Sequence, residues 1–281
     1  MSERKIDEGM LRGFGAALAA EERAGSTIEK YVGEVRRFRT WLGGRGVTAE
    51  LVAGWKKQLS GTGYRAETVN GKVSAVNKFL EYMGWGDCRA RYLKIQRRLF
   101  RGSEKELSRT EYVRLVETAQ GRGQRRLALV METMCATGIR VSEVRYITVE
   151  SVERGRAEVA LKGKIRTILL PGKLCRKLAK YAKKEKIASG EIFLTRSGRG
   201  ISRRQIWSEM KRLCAWAGVA ATKVFPHNLR HLVARTFYRR SRDVTRLADV
   251  LGHSSIETTR IYLISTGWEH CRELEQLGLI S

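Results

Sequence analysis

The sequence is poor in cysteine and histidine, and the few it has are scattered. Its five cysteines form no CxxC pair, which argues against a disulfide framework or a zinc knuckle and favours a reducing compartment. Its four histidines form neither HxH nor HExxH, and no GxxxxGKS/T phosphate loop is present. We therefore expect a protein without a metal, without an ATP-driven step and without any other cofactor.

Long apolar runs are also missing. No stretch reaches the roughly 18 consecutive apolar residues that a transmembrane helix needs. The charged residues 1–7 contain no apolar signal core of the kind that directs secretion. These absences predict a cytoplasmic protein.

Negative charge is scarce as well. Lysine and arginine number 55 against 29 aspartates and glutamates, which gives a net charge of +26. Residues 151–250 concentrate this excess with 25 basic and 7 acidic residues, whereas residues 251–281 hold 2 basic and 4 acidic ones. A solvated basic surface is one explanation, but a charge this large of one sign favours a nucleic-acid backbone as partner. The acidic last segment is more typical of a protein contact.

The first hundred residues have the apolar spacing of helices, and the sequence has only two prolines to interrupt it. We predict helices over 10–24, from a Ser26 cap to 42, from a Thr48 cap to 59, and over 68–82. Four short helices joined by small turns make a compact bundle. The sequence thus predicts a helical domain over 8–95, followed by a polar linker over 96–107.

The remaining residues, 108–281, predict a second and mostly helical domain. Ser108 with Glu111 has the spacing of a capping box, and an apolar segment ends at Thr137-Gly138. Residues 156–170 show the single clear β pattern, a hairpin with a basic turn. Further helices are predicted at 173–188, 202–217, 228–240, 244–251, 255–264 and 268–276. The predicted fold class is mainly α with one small antiparallel sheet.

The residues that could carry chemistry fit metal-free phosphoryl transfer. Such a reaction needs cations that hold the phosphate, a nucleophile, and an acid for the leaving oxygen. Arg140 follows an apolar helix and a Thr-Gly turn, and His227 and Arg230 share one helical face. His253 comes directly after a glycine stop, and Tyr262 lies nine residues further on.

These residues belong to short motifs whose order along the chain is informative. TGIRVSE at 137–143, Lys162, HNLRH at 227–231, LGH at 251–253 and TRIY at 259–262 follow one another along the chain. Together they resemble the tyrosine recombinase (phage integrase) family, most closely its Xer-like and small mobile-element members. The catalytic resemblance covers about residues 108–281.

The resemblance extends to the first domain. Ser26-Thr27 with Tyr31 and Phe38, and the pattern over 68–80, look like the family's helical, SAM-like core-binding domain. The resemblance implies a clamp of four helices, a linker and a catalytic domain with a small sheet. It also implies double-stranded DNA as partner, at the nucleoid. Because little sequence precedes the first helix, we expect recombination at core sites without a separate arm-binding domain.

The resemblance assigns a role to each site residue. Tyr262 would attack the scissile phosphate and form a 3′-phosphotyrosine, while Arg140 and Arg230 grip the non-bridging oxygens. Lys162 would protonate the leaving 5′-oxygen. His227 would act as a base toward the tyrosine or position a phosphate oxygen, and His253 would donate a hydrogen bond to the phosphate.

Other residues are assigned supporting roles. Glu143 is expected to brace Arg140, and His231 is either a packing or a supporting histidine. The basic turn leaves Lys164 as an alternative to Lys162, because the turn is one residue shorter than the family pattern. Candidate DNA contacts, to bases or to phosphates, are Arg65, Lys72, Lys164, Arg203 and Arg204.

The C-terminal segment predicts a helix at about 267–278. Trp268, Cys271, Leu274 and Leu277 fall on one side of it. Such a helix could pack on its own domain, but the resemblance implies docking into a neighbouring protomer and a tetrameric assembly on DNA. Two competing functions remain: a DNA-binding or architectural protein that has lost catalysis, and a related tyrosine-nucleophile topoisomerase. The complete set of family residues favours a site-specific recombinase.

Overall fold

A computed structural model describes residues 4–95, 105–161, 164–253, 255–262 and 275–276. The chain divides into two compact units, 1–97 and 98–281. Across the described ranges, no helix combines the length and apolarity needed to cross a membrane.

Over residues 4–95, the first unit is a bundle of four helices. They are α1 (Glu8–Ala20), α2 (Gly25–Leu42), α3 (Ala49–Gly61) and α4 (Ala66–Tyr82), followed by a 3₁₀ turn at Gly86–Cys88. Phe14, Phe38 and Phe79 are fully buried in its core. Burial of such large aromatic side chains supplies much of the driving force for a small bundle.

The helix starts in this unit were predicted with mixed success. Thr48 caps α3 as predicted, because its side chain accepts a hydrogen bond from the Leu51 amide. The predicted Ser26 cap is wrong, since α2 begins at Gly25. The amides of Thr27 and Ile28 already bond to the Ala24 carbonyl, so the first turn closes ahead of Ser26.

The second unit contains eight helices and one hairpin among its described residues. The elements are α5 (Arg109–Gly121), α6 (Arg125–Thr137), a 3₁₀ segment (Val141–Tyr146), α7 (Val149–Glu153), β1 (Arg156–Leu161), β2 (Lys164–Leu169), α8 (Gly172–Lys184), α9 (Arg203–Ala217), α10 (Pro226–Ser241), α11 (Val244–Leu251) and α12 (Ile256–Arg260). The mainly helical fold class with a small antiparallel sheet is confirmed.

The hairpin pairs its two strands in antiparallel register from Arg156 opposite Leu169 to Leu161 opposite Lys164. Its side chains alternate between two environments, as a half-buried strand requires. Ile168 is buried, whereas Ile165 and Leu169 are 77% and 75% exposed. The same alternation places Arg166 on the inward face.

Residues 105–107, which the sequence placed in the linker, pack against the second unit. Leu107 is 1% exposed and belongs to this unit's core. Asn228 Nδ2 donates to the Lys105 carbonyl at 2.7 Å, and Arg235 Nη2 donates to the Leu107 carbonyl at 3.1 Å. The predicted Ser108–Glu111 capping box that follows is confirmed.

Two glycines end helices whose C-terminal carbonyl groups lie close together. Gly138 ends α6 and Gly252 ends α11, both in the left-handed region with φ of 66° and 63°. Side chains with a Cβ are disfavoured in that region. Each stop leaves carbonyl oxygens without a partner inside its helix, and those of Gly138 and Leu251 serve the site described next.

Candidate active site

Arg230 is the buried centre of the site, with 1% exposure. Its guanidinium donates to the carbonyl of Gly138, and Nη2 donates to the carbonyl of Leu251 at 2.6 Å. Because these carbonyls end two helices, the negative ends of both helix dipoles face the buried cation. Burial lowers the pKa of Arg230 to about 10, which leaves the guanidinium charged at neutral pH. Its buried Nε has no hydrogen-bond partner within the described part of the chain.

Arg140 stands at the start of the 3₁₀ segment and is braced by Glu143. The Arg140 amide donates to Glu143 Oε2 at 2.8 Å, and Nη1 donates to Oε1 at 2.9 Å. Glu143 is 1% exposed, while the Arg140 side chain is 43% exposed. The carboxylate therefore fixes the backbone and one edge of the guanidinium, and leaves the rest of Arg140 open to an anion.

Arg166 is a third arginine of the site, and the sequence motifs do not include it. Its Nη2 donates to Glu143 Oε2 at 3.0 Å, and its Nη1 donates to the Leu251 carbonyl. Strand alternation held a signal for it, since Arg166 occupies an inward position of β2 beside buried Ile168. A cation at an apolar register position needs a buried partner.

Tyr262 lies among three histidines. It is 7% exposed, and its ring centroid is 4.4 Å from His231, 5.4 Å from His227 and 5.3 Å from His253. The Arg230 guanidinium carbon is 5.8 Å from the same ring. The structure thus brings together five of the six residues that the sequence proposed as catalytic: Arg140, His227, Arg230, His253 and Tyr262.

His253 links Arg230 to Thr259. Its Nε2 is 2.8 Å from Arg230 Nη2, and its Nδ1 is 2.8 Å from Thr259 Oγ1. A guanidinium only donates hydrogen bonds, so Nε2 accepts and Nδ1 carries the proton of the neutral ring. Thr259 is fully buried, and its place in the TRIY motif did not by itself predict this contact.

His253 is expected to stay neutral throughout the physiological range. Burial, followed by the positive charges of Arg230, Arg140 and Arg166, lowers its pKa to about 4. Since the unfolded ring titrates near pH 6.5, protonation favours the unfolded chain as pH falls from about 6.5 toward 4. An NMR titration of the free protein should show a His253 midpoint near 4. A midpoint near 6.5 would contradict the geometry.

Gly138→Ala is expected to destabilise the second unit. A Cβ there would lie 2.9 Å from Leu251 Cδ2, in addition to the strain of a φ of 66°. Gly123, with a φ of 71° and nothing within 4 Å, isolates the strain alone. Thermal unfolding should show about 1–2 kcal/mol lost in Gly123→Ala and more in Gly138→Ala. Equal losses would mean that the close approach to α11 is unimportant.

The predicted DNA contacts fall in different settings. Arg65 is exposed just ahead of α4, and Arg203 and Arg204 are exposed in the first turn of α9. Lys72 is instead 12% exposed and donates to Glu34 at 2.8 Å. An exposed arginine can approach a phosphate directly, whereas Lys72 would first have to leave its glutamate.

Besides residues 96–104 of the predicted linker, two predicted features lie outside the described residues. Lys162 is one, while Lys164 is placed as the first residue of β2. The proposed C-terminal helix at 267–278 is the other, apart from residues 275–276. Over the described ranges, no three His, Cys, Asp or Glu residues come together as a potential metal site.

The sequence matches known protein families over both units. Residues 105–267 match the phage integrase family, and residues 11–85 match the phage integrase N-terminal SAM-like domain. The tyrosine recombinase XerA of Pyrococcus furiosus is 27% identical over 290 aligned residues, covering 100% of this chain and 98% of that protein. The tyrosine recombinase XerC of Neisseria gonorrhoeae is 36% identical over 140 residues, which is 47% of this chain and 45% of that protein.

Solved structures share the fold. A crystal structure of a lambda integrase tetramer bound to a Holliday junction matches 90% of this chain and 76% of its own, with a TM-score of 0.72 and 19% identity. The crystal structure of XerA recombinase matches 97% of this chain and 98% of its own, with a TM-score of 0.53 and 20% identity. The family match spans more than half of the sequence, and the chain therefore belongs to the phage integrase family of tyrosine recombinases.

Proposed function

We propose that this chain is a site-specific DNA recombinase that cuts and rejoins strands through a 3′-phosphotyrosine at Tyr262. The observation that carries the proposal is the placement of this one tyrosine among His227, His231 and His253, with the Arg230 guanidinium over its ring. A phenol is a weak nucleophile at neutral pH, so it needs proton acceptors and cations of this kind around it.

Arg140 and Arg230 are proposed to hold the scissile phosphate. A guanidinium presents a planar fork of donors that matches two phosphate oxygens, and its charge stabilises the extra negative charge of the transition state. In the free protein, Arg230 Nη2 bonds to His253 Nε2. An arriving phosphate oxygen would compete for that donor, and His253 would then carry its proton on Nε2 instead of Nδ1 in order to donate to the same oxygen.

The proposed cleavage step forms one bond and breaks one. The Tyr262 oxygen bonds to phosphorus, and the bond from phosphorus to the 5′-oxygen breaks. The phenol proton passes to a neighbouring histidine, and the 5′-oxygen takes a proton, which we assign to Lys162. The phosphodiester energy stays in the phosphotyrosine, so a 5′-hydroxyl of another strand can reverse the step without ATP.

The two histidines of α10 differ in solvent exposure and in distance from Tyr262. His231 is 5% exposed and its ring is the nearer to Tyr262, while His227 is exposed. We propose that His231 orients the tyrosine and that His227, which is accessible to solvent, exchanges the proton.

Strand exchange needs more than one copy of the enzyme. The lambda integrase that shares this fold was crystallised as a tetramer on a Holliday junction, and we propose that four copies of this chain assemble likewise on double-stranded DNA. The excess of positive charge in residues 151–250 supports a duplex as partner. We place the assembly in the cytoplasm, at the nucleoid.

The test uses nicked duplexes tiled from the DNA that flanks the gene. When the nick lies a few nucleotides from the cleavage site, cleavage releases a short fragment that carries the free 5′-hydroxyl. This fragment diffuses away, so religation cannot occur and the covalent complex accumulates. We expect a protein–DNA band on a denaturing gel, formed in EDTA, and recombined strands when two intact duplexes are supplied. Tight binding without either product would favour the inactive, architectural alternative.

A further inference from the structure

Arg166 connects the two arginines that are proposed to hold the phosphate. Through Nη2 it shares Glu143 Oε2 with the Arg140 amide. Through Nη1 it shares the Leu251 carbonyl with Arg230. One side chain on β2 thus contacts both the carboxylate that braces Arg140 and the helix end that holds Arg230.

The charge of Arg166 affects how strongly Glu143 holds Arg140. Glu143 carries one negative charge, which would pair fully with Arg140 if Arg166 were missing. With both arginines present, the cluster of Glu143, Arg140 and Arg166 has a net positive charge. Glu143 therefore does not neutralise Arg140 completely, and Arg140 can still attract a phosphate. Glu143 is 1% exposed, and a buried carboxylate with a single cationic neighbour would hold that neighbour more tightly.

The glycine of the LGH motif fits the same arrangement. A Cβ built on Gly252 would collide with the guanidinium of Arg166. Two features therefore require a glycine at position 252. One is its φ of 63°, and the other is the Arg166 side chain, which lies against Gly252 where it reaches the Leu251 carbonyl. The guanidinium is enclosed between the 3₁₀ segment and the end of α11, and its side chain is 16% exposed.

We propose that Arg166 is a positioning residue that keeps Arg140 and Arg230 in register and keeps Arg140 available to the scissile phosphate. This inference rests on the proposed function. It concerns a residue that touches neither the phosphate nor Tyr262, and acts through Glu143 and the Leu251 carbonyl.

Arg126 provides a matched control. It too is a half-buried arginine, and it donates to one backbone carbonyl, of Leu194, and to one carboxylate, of Glu209. Within the described ranges, its buried Nε has no hydrogen-bond partner, and the same is true of Arg166 Nε. Arg126 lies at the start of α6, whereas the site lies beyond the end of that 13-residue helix, about 20 Å away.

The experiment compares Arg166→Met with Arg126→Met in single-turnover cleavage of a nicked duplex, with DNA affinity and thermal unfolding measured in parallel. Both variants should lose similar stability. Only Arg166→Met should slow cleavage, by about 10- to 100-fold, the range known for loss of a residue that positions a metal ligand. Arg166→Lys, which keeps the charge, should recover part of the rate.

A Glu143→Gln background separates positioning from damage to the fold. With the carboxylate charge removed, loss of Arg166 should slow cleavage less than it does in the wild-type background, because only its contact with the Leu251 carbonyl remains to be lost. As a second readout, the NMR midpoint of His253 should rise in Arg166→Met, because one of the cations that depress it is gone. Equal cleavage rates in the two Met variants, or a full Arg166 effect in the Glu143→Gln background, would overturn the inference. Failure of the wild type to form any covalent complex would overturn the proposed function instead.

Discussion

Tyr262→Phe is expected to abolish covalent complex formation completely. The substitution removes only the attacking oxygen, and the ring keeps its contacts with His231, His227 and His253. Since the side chain is 7% exposed and packs with Ala234, Leu247 and Leu251, phenylalanine preserves the packing. DNA affinity and the unfolding temperature should therefore stay close to wild type while the denaturing gel shows no adduct.

Tyr181→Phe is the control for this variant. Tyr181 is a partly buried tyrosine of α8 that packs beside Phe193, outside the site. It should form the covalent complex at the wild-type rate. An adduct of normal yield in Tyr262→Phe would place the nucleophile elsewhere and remove the basis of the proposed mechanism.

Arg230→Lys is expected to reduce the cleavage rate by about a hundredfold to a thousandfold, the range seen when one preorganised donor to a developing charge is lost. An ammonium is a point charge and cannot reproduce the planar fork that reaches the carbonyls of Gly138 and Leu251 and His253 Nε2 together. The charge remains, so the change tests geometry rather than electrostatic attraction. Single-turnover kinetics at saturating DNA measure it.

Arg126→Lys again serves as control, because it breaks a similar set of contacts away from the site. It should lose some stability and no cleavage rate. If Arg230→Lys cleaved as fast as this control, bidentate phosphate binding by Arg230 would be wrong and a simple positive charge would suffice.

The sequence predicted those parts of the molecule that local chemistry determines. The Ser108–Glu111 capping box, the helix stop at Gly138 and the hairpin depend on a few neighbouring residues, and each is confirmed. The Ser26 cap failed for a local reason too, since the Ala24 carbonyl had already closed the first turn.

What the sequence could not predict depends on residues distant along the chain. Arg166 and Leu251 meet only because β2 and the end of α11 pack together. Leu107 was assigned to a polar linker because its neighbours are charged, and its burial depends on α10. The order of motifs predicted which residues matter, while the buried network that connects them required the fold.

Identification of the amino acid that carries the DNA would establish the nucleophile directly. The covalent complex would be trapped on a nicked duplex in EDTA, digested with trypsin and nuclease, and analysed by mass spectrometry. Cleavage after Arg260 and Arg272 releases the peptide 261–272, in which Tyr262 is the only tyrosine. We expect a nucleotide attached to Tyr262 through its 3′-phosphate. A nucleotide on any other residue, or one attached through a 5′-phosphate, would contradict it.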